Sequence, residues 1–228
     1  MPSALVTGGS SGIGLAIARV LKEEGFGLTL ASRTAEKVEA AAEQLGVDAV
    51  AADVSKPEDC ERAVEQHVER HGGLDVLVNS AGIGIAARLE EAQLKHIDRQ
   101  LAINVRGLAL VTQAAIPHLR ASRGWIVNLA SIAGTGPVPI LPIYAATKAA
   151  VISLTHSLNE DLDADGVRAI AICPGFVDTP MAEYSGLSGD EMIQPEDCAE
   201  VVRMCLRLSP RARIPQVVIQ RVGGRGVG

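Results

Sequence analysis

The chain has 228 residues, 47% hydrophobic and 21% charged, with 21 Lys and Arg against 27 Asp and Glu for a net charge of −6. A chain of this length can bury roughly 70% of its unfolded surface, which removes the need for a disulfide or metal staple, and its ordinary globular composition excludes a disordered polymer. A mildly acidic balance without a basic run argues against nucleic acid or anionic membrane as partners, and no apolar stretch reaches the roughly 18 residues of a membrane span. The N-terminal MPSALVTGG lacks the basic segment and apolar core of a secretion signal. The four cysteines, Cys60, Cys173, Cys198 and Cys205, show no CxxC spacing. A cytoplasmic location with reduced thiols is therefore expected, with no metal site.

Short apolar runs alternate with longer amphipathic ones. Ala4 to Thr7 reads as a strand, followed by a glycine-rich turn and a helix from about Ile13 to Glu24. Gly27 to Ala31 is a strand, Glu36 to Leu45 a helix and Val47 to Ala51 a strand. Pro57 to Arg70 reads as a helix capped by Ser55, with Glu58 and Asp59 in its first turn. His67 and His71 are one turn apart on it, and the charges around them predict a solvated face. Leu74 to Val78 is a strand, and a long helix covers about Leu94 to Leu119. Trp125 to Leu129 is a strand, Tyr144 to Asp163 a helix, and Val167 to Ile172 a strand. Pro195 to Leu208 is a helix with Cys198 and Cys205 facing the core, and Val217 to Gln220 a last strand. Gly223 to Gly228 reads as a loose tail. Strands this short and continuously apolar are buried on both faces. The expected fold is α/β: a Rossmann-type doubly wound parallel sheet of about seven strands, helices on both faces, in a single domain over residues 1–228.

The first turn, T-G-G-S-S-G-I-G, places Gly8, Gly12 and Gly14 between strand and helix. Glycine permits positive φ and close backbone approach, and the helix N-terminus attracts phosphate. The spacing GxxxGxG differs from the GxGxxG of most dinucleotide folds. Tyr144 and Lys148 share a helix face. A lysine ammonium near a phenol stabilises tyrosinate and brings its proton transfer toward neutral pH. Ser131 follows the fifth strand, where a parallel sheet presents residues to its ligand crevice. Its hydroxyl can donate to the oxygen that Tyr144 protonates. Asn104 sits within the long helix, where asparagine is a poor intrinsic choice.

With Thr7-Gly8, Gly12-x-Gly14, Asp53, Asn79-Ser80-Ala81-Gly82, Asn104, Ser131, Tyr144-Ala-Ala-Thr-Lys148 and Pro174-Gly175 in this order, the sequence resembles the short-chain dehydrogenase/reductase family over roughly its first 180 residues. A second Asn is usual in the family where Ser80 stands. The resemblance implies a nicotinamide cofactor held by Thr7, Gly8, Ser10, Ser11, Gly12, Ile13 and Gly14. It implies Asp53 and Val54 at the adenine, and Asn79, Ser80, Ala81 and Gly82 beside the adenine ribose. Pro174, Gly175, Val177 and Thr179 would line the nicotinamide, with Tyr144 and Lys148 also touching the cofactor. It implies Asn104, Ser131, Tyr144 and Lys148 as the catalytic set, with Asn104 holding a water that passes protons to Lys148. Where an acid that favours NAD is usual, the second strand ends in Ser32-Arg33. An arginine there accommodates a 2′-phosphate, so NADP(H) is favoured over NAD(H).

The implied activity is reversible hydride transfer between a nicotinamide and a ketone or alcohol, as in a carbonyl reductase or alcohol dehydrogenase. A β-ketoacyl-carrier-protein reductase is one alternative, and a nucleotide-sensing regulator on the same fold another. Pocket walls are expected from Gly82 to Arg88, Ala133 to Ile143 and a substrate loop at 181–194. Ile83, Ile85, Val138, Ile140 and Leu141 favour an apolar small-molecule carbonyl or alcohol. Tyr184 lies in the loop. The resemblance also implies a homo-oligomer, a tetramer ahead of a dimer.

Overall fold

The computed structural model describes residues 1–223, apart from the Tyr184 side chain; residues 224–228, most of the glycine-rich tail, lie outside the described residues. Seven parallel strands form one sheet in the order β3-β2-β1-β4-β5-β6-β7. They are β1 (Ser3–Thr7), β2 (Gly27–Ser32), β3 (Asp48–Ala51), β4 (Val76–Asn79), β5 (Trp125–Leu129), β6 (Arg168–Pro174) and β7 (Gln216–Ile219). The order reverses between β1 and β4, and at such a switch point the strand carboxyl ends leave a crevice for ligands.

Both faces are buried because successive side chains point to opposite sides. Ala4 and Val6 of β1 enter one core with Ile17, Leu21, Ile170 and Val202. Leu5, between them, enters the other with Val64, Val111, Ile126 and Leu158. The first core is closed by α1 (Gly12–Glu23), α2 (Ala35–Leu45) and α7 (Pro195–Leu206), and the second by α3 (Pro57–His71), α5 (Leu108–Ser122) and α6 (Pro142–Asp161).

Three local expectations are corrected. The long helix is α4 (Leu94–Leu101), a π-helical turn (Ala102–Gly107) and α5. The wider turn turns Asn104 inward, and Gly107 lies so close to Val54 that a Cβ would stand 2.4 Å from the Val54 carbonyl oxygen. Ser55 does not cap α3: the capping position is Lys56, and Ser55 Oγ donates instead to Asp53 Oδ1 at 2.7 Å. His67 is not solvated but 0% exposed, its Nδ1 2.9 Å from Thr29 Oγ1 and its Nε2 3.2 Å from Ser3 Oγ. The charges that predicted solvation lie on the outer face of α3, whereas His67 continues the buried row Cys60, Ala63, Val64. Its neighbour His71 lies 3.2 Å from Asp48 Oδ2.

Candidate active site

The turn after β1 is built for close backbone approach. Gly8 has φ +66, and a Cβ on it would lie 2.7 Å from the Ala81 nitrogen. A Cβ on Gly14 would lie 2.5 Å from the Gly8 carbonyl oxygen. Thr7 ties this turn to β4: its Oγ1 donates to the Val78 carbonyl at 3.3 Å and accepts from the Ala81 N–H at 3.4 Å. Ser11, at the start of α1, makes no side-chain cap, and the first turn of α1 carries no acid. The helix thus presents its positive end without an internal anion.

Above this turn lies a cavity of about 400 Å3. Gly8, Ser10, Ser11, Gly12 and Ile13 line it from the turn, and Ser32 and Arg33 from the end of β2. Asp53 and Val54 face it from beyond β3, and Ser80, Ala81 and Gly82 from beyond β4. Asp53 is held in place by Ser55, whose N–H and hydroxyl both donate to its Oδ1. Lys37 also lines the cavity, and sequence reasoning missed it. The usable signal was a second cation in the first turn of the helix that follows Arg33.

Asn79 does not line this cavity. It is 2% exposed, and its Nδ2 donates to Thr112 Oγ1 and Asn128 Oδ1, both at 2.9 Å. Asn128 in turn donates to Thr155 Oγ1 at 2.9 Å, so Asn79 begins a buried polar ladder from β4 through β5 to α6. Thr7 and Gly14 shape the turn from behind rather than facing the cavity.

A second hollow of about 120 Å3 shares Ile13, Ser80, Gly82, Thr179 and Met181 with the first. Here the structure gathers Ser131, Tyr144 and Lys148 with Pro174, Gly175 and Val177. Ser131 caps a short 3-10 turn, its Oγ accepting the Ala133 N–H at 3.1 Å, which leaves the hydroxyl proton for another acceptor. Pro142 opens α6 two residues before Tyr144, which places the phenol at the start of the helix. Lys148 Nζ donates to the Leu129 carbonyl at 2.7 Å and lies 5.7 Å from the centre of the Tyr144 ring. Burial, with 6% of Lys148 exposed, pushes its ammonium down to about 8.

Asn104 is not in this hollow but behind it. Its Oδ1 accepts the Ile83 N–H at 2.9 Å, and its Nδ2 donates to the Ile83 carbonyl at 2.8 Å and to Thr147 Oγ1 at 3.0 Å. The expected apolar walls divide. Gly82, Met181 and Ala182 reach the hollow, whereas Arg88, Val138 and Ile140 line a separate one of about 240 Å3. The two loops meet where the Ala87 N–H donates to the Ile140 carbonyl at 2.8 Å, with Ile140 at φ +61, a conformation rare for a β-branched residue. All four cysteines are buried free thiols. Among the described residues no cluster of three His, Cys, Asp or Glu could hold a metal, and no helix is long and apolar enough to cross a membrane.

Residues 2–188 match the family model described as short chain dehydrogenase. The chain belongs to the short-chain dehydrogenase family. It is an NAD(P)-dependent oxidoreductase of that family, acting on a small molecule. Its relatives include an uncharacterized oxidoreductase of Staphylococcus epidermidis, 34% identical over 222 residues and covering 96% of each chain. A Staphylococcus aureus oxidoreductase is 35% identical over 223 residues, again covering 96% of each. Among solved structures, an alcohol dehydrogenase from Thermococcus sibiricus complexed with 5-hydroxy-NADP superposes with TM-score 0.92 at 31% identity, over 99% of this chain and 98% of that one. A 3-ketoacyl-(acyl-carrier-protein) reductase from Brucella melitensis complexed with NADH gives 0.87 at 31% identity, over 96% of each.

The site fits the dinucleotide that short-chain dehydrogenases use. The cradle closes if a Cβ is added at Gly8 or Gly14, and the cavity above it runs from the uncapped helix end to the cations of β2 and α2. Its shared wall leads to the hollow holding Ser131, Tyr144 and Lys148.

Proposed function

We propose that the protein is an NADP(H)-dependent carbonyl reductase or alcohol dehydrogenase in which Tyr144 is the general acid and base. The observation that carries this reading is that Ser131, Tyr144 and Lys148 line one hollow, which shares its wall with the cavity above the glycine turn. The bound nicotinamide supplies or takes the hydride. Ser131 donates a hydrogen bond through its hydroxyl to the carbonyl oxygen and keeps its proton, while its Oγ accepts the Ala133 N–H. Tyr144 gives its phenolic proton to the same oxygen in reduction and takes it back in oxidation. The Lys148 ammonium, fixed on the Leu129 carbonyl, lowers the cost of the tyrosinate that remains. Tyr144 and Lys148, with Pro174, Gly175, Val177 and Thr179, line the hollow that would hold the nicotinamide end.

Two features support NADP(H) over NAD(H). No acid stands at the end of β2, and Arg33 and Lys37 both line that end of the cavity, neither of them in an ion pair among the described residues. The Thermococcus enzyme is complexed with 5-hydroxy-NADP, and a serine dehydrogenase complexed with NADP+ superposes with TM-score 0.90 at 26% identity. Leu129, Ala130, Val177, Met181 and Ala182 around the hollow favour an uncharged, apolar ketone or alcohol. The likeness to the Brucella reductase favours one second reading, a β-ketoacyl-carrier-protein reductase. Such an enzyme needs a basic patch for an acidic carrier, and this chain offers only the scattered arginines Arg88, Arg99 and Arg106. A cytoplasmic homo-oligomer, a tetramer ahead of a dimer, with the substrate loop at 181–194, completes the proposal.

The test is nicotinamide absorbance with NADPH and NADH in parallel, against a panel of ketones, diketones and ketoacyl thioesters. Oxidation of NADPH is expected with apolar ketones. Tyr144→Phe should lower kcat at least about a hundredfold while NADPH still binds. Full turnover in that variant would remove Tyr144 from the chemistry, and activity confined to ketoacyl thioesters would favour the second reading.

A further inference from the structure

One hydroxyl stands between two of the proposed catalytic groups. Thr147, on α6 between Tyr144 and Lys148, is 1% exposed. Its Oγ1 donates to the Tyr144 carbonyl at 2.7 Å and accepts from Asn104 Nδ2 at 3.0 Å. Asn104 is itself 1% exposed and grips both the N–H and the carbonyl of Ile83. Next to Ile83, a Cβ on Gly82 would lie 3.5 Å from both Asn104 Oδ1 and Lys148 Nζ. A continuous chain of bonds therefore joins the loop after β4, the π turn and the start of α6.

The polarity of this chain has one solution. The threonine hydroxyl has a single proton, and the Tyr144 carbonyl can only accept it. The oxygen's lone pairs then face Asn104, which must present its amide hydrogens there and to the Ile83 carbonyl. Its Oδ1 is left for the Ile83 N–H. We propose that Thr147 is a positioning residue, whose hydroxyl locks Asn104 and the Tyr144 end of α6 into one unit and so sets the phenol against Ser131 and Lys148. The proposal rests on the reductase reading above. Valine fills the same space without the hydroxyl and leaves a buried amide hydrogen unpaired, so the asparagine turns and releases Ile83 and the wall beside Lys148. Serine keeps the hydroxyl and the lock.

The experiment compares Thr147→Val and Thr147→Ser with the wild-type protein in NADPH-dependent ketone reduction, with amide hydrogen exchange at Ile83 as a second readout. Thr147→Val should lower kcat about tenfold with KM for NADPH changed less than about twofold, and Thr147→Ser should stay within about twofold of wild type in both. Thr147→Val combined with Asn104→Ala should be no slower than Asn104→Ala alone, because both act through one bond. Exchange at Ile83 should rise in the valine variant and not in the serine variant. Full kcat in Thr147→Val, an equal loss in Thr147→Ser, or a loss confined to KM for NADPH would overturn the proposal. Unchanged exchange at Ile83 overturns it whatever the activity. Faster exchange at Ile83 in a protein that reduces no carbonyl would instead remove the reductase reading and leave the lock without a catalytic purpose.

Discussion

Arg33 and Lys37 stand where β2 passes into α2, both exposed and both facing the large cavity. A guanidinium forks onto a phosphate, whereas an ammonium acts as a point charge, so the two contribute unequally. Arg33→Ala should raise KM for NADPH about tenfold and Lys37→Ala about threefold, with KM for NADH nearly unchanged in both. An unaltered NADPH to NADH ratio in Arg33→Ala would return that arginine to the status of a surface residue. Lys148 sets a pH limit of its own. Burial lowers its ammonium from 10.5 to about 8, so it is charged below that value and neutral above it. The proposed reduction needs the charge beside the phenol, so kcat/KM should fall as pH rises through about 8. A profile flat to pH 10 would mean that the ammonium plays no part.

At the scale of elements, α3 is fastened to the sheet by a neutral histidine. Burial first, then the charge of His71, pushes His67 from 6.5 down to about 3. A hydrogen bond with the Gly73 backbone opposes the shift, His118 on α5 and Arg70 on α3 add to the repulsion, and Asp48 of β3 is engaged by His71. Above about pH 6.5 the folded and unfolded chains both carry this ring neutral, and its hydrogen bonds to Ser3 and Thr29 contribute in full. As pH falls from 6.5 toward 3 the unfolded chain binds a proton that the folded chain refuses, and stability declines by about 1.4 kcal/mol per unit. Denaturant titration from pH 7 to 4 should show this slope, and His67→Gln, which cannot take the proton, should flatten it. An equal acid slope in that variant would shift the cause to the carboxylates. The π turn belongs to this scale too. It spends regular helix geometry to bring Asn104 onto Ile83 and Thr147, a use such turns often serve at functional sites.

For the whole molecule, the sheet order is the decisive arrangement. Reversal between β1 and β4 puts the glycine turn, the end of β2 and the loop after β4 around one cavity, and β5 and β6 bring Ser131 and Pro174 to its far end. Stability is coupled to this assembly, because a ligand that binds only the folded cavity raises the unfolding free energy by mass action. On the outer side, α5 and α6 keep Leu110, Ala114 and Ile152 only partly covered, which accords with the proposed oligomer. Sedimentation equilibrium at micromolar concentration should give four times the 23.8 kDa chain mass, or twice it, and a monomer would overturn the proposal.

The strands, the parallel sheet, the glycine turn and the Tyr144–Lys148 pair were legible in the sequence because each is local: a run of apolar residues, a turn chemistry, a four-residue spacing on one helix. Arg33 was legible for the same reason. His67 was missed because charged neighbours on the outer face of α3 outweighed its place in the buried row of Cys60, Ala63 and Val64. The bonds from Asn79 on β4 to Thr112 and Asn128 were not legible, because they join residues far apart along the chain. Lys37, the interruption of the long helix and the Thr147 bridge depend on which segments the fold brings side by side. Local sequence thus determined the elements and the reactive residue types. Tertiary packing decided which hydrogen-bonding groups were left without water and had to find one another, because burial makes an unpaired polar group costly and a paired one specific.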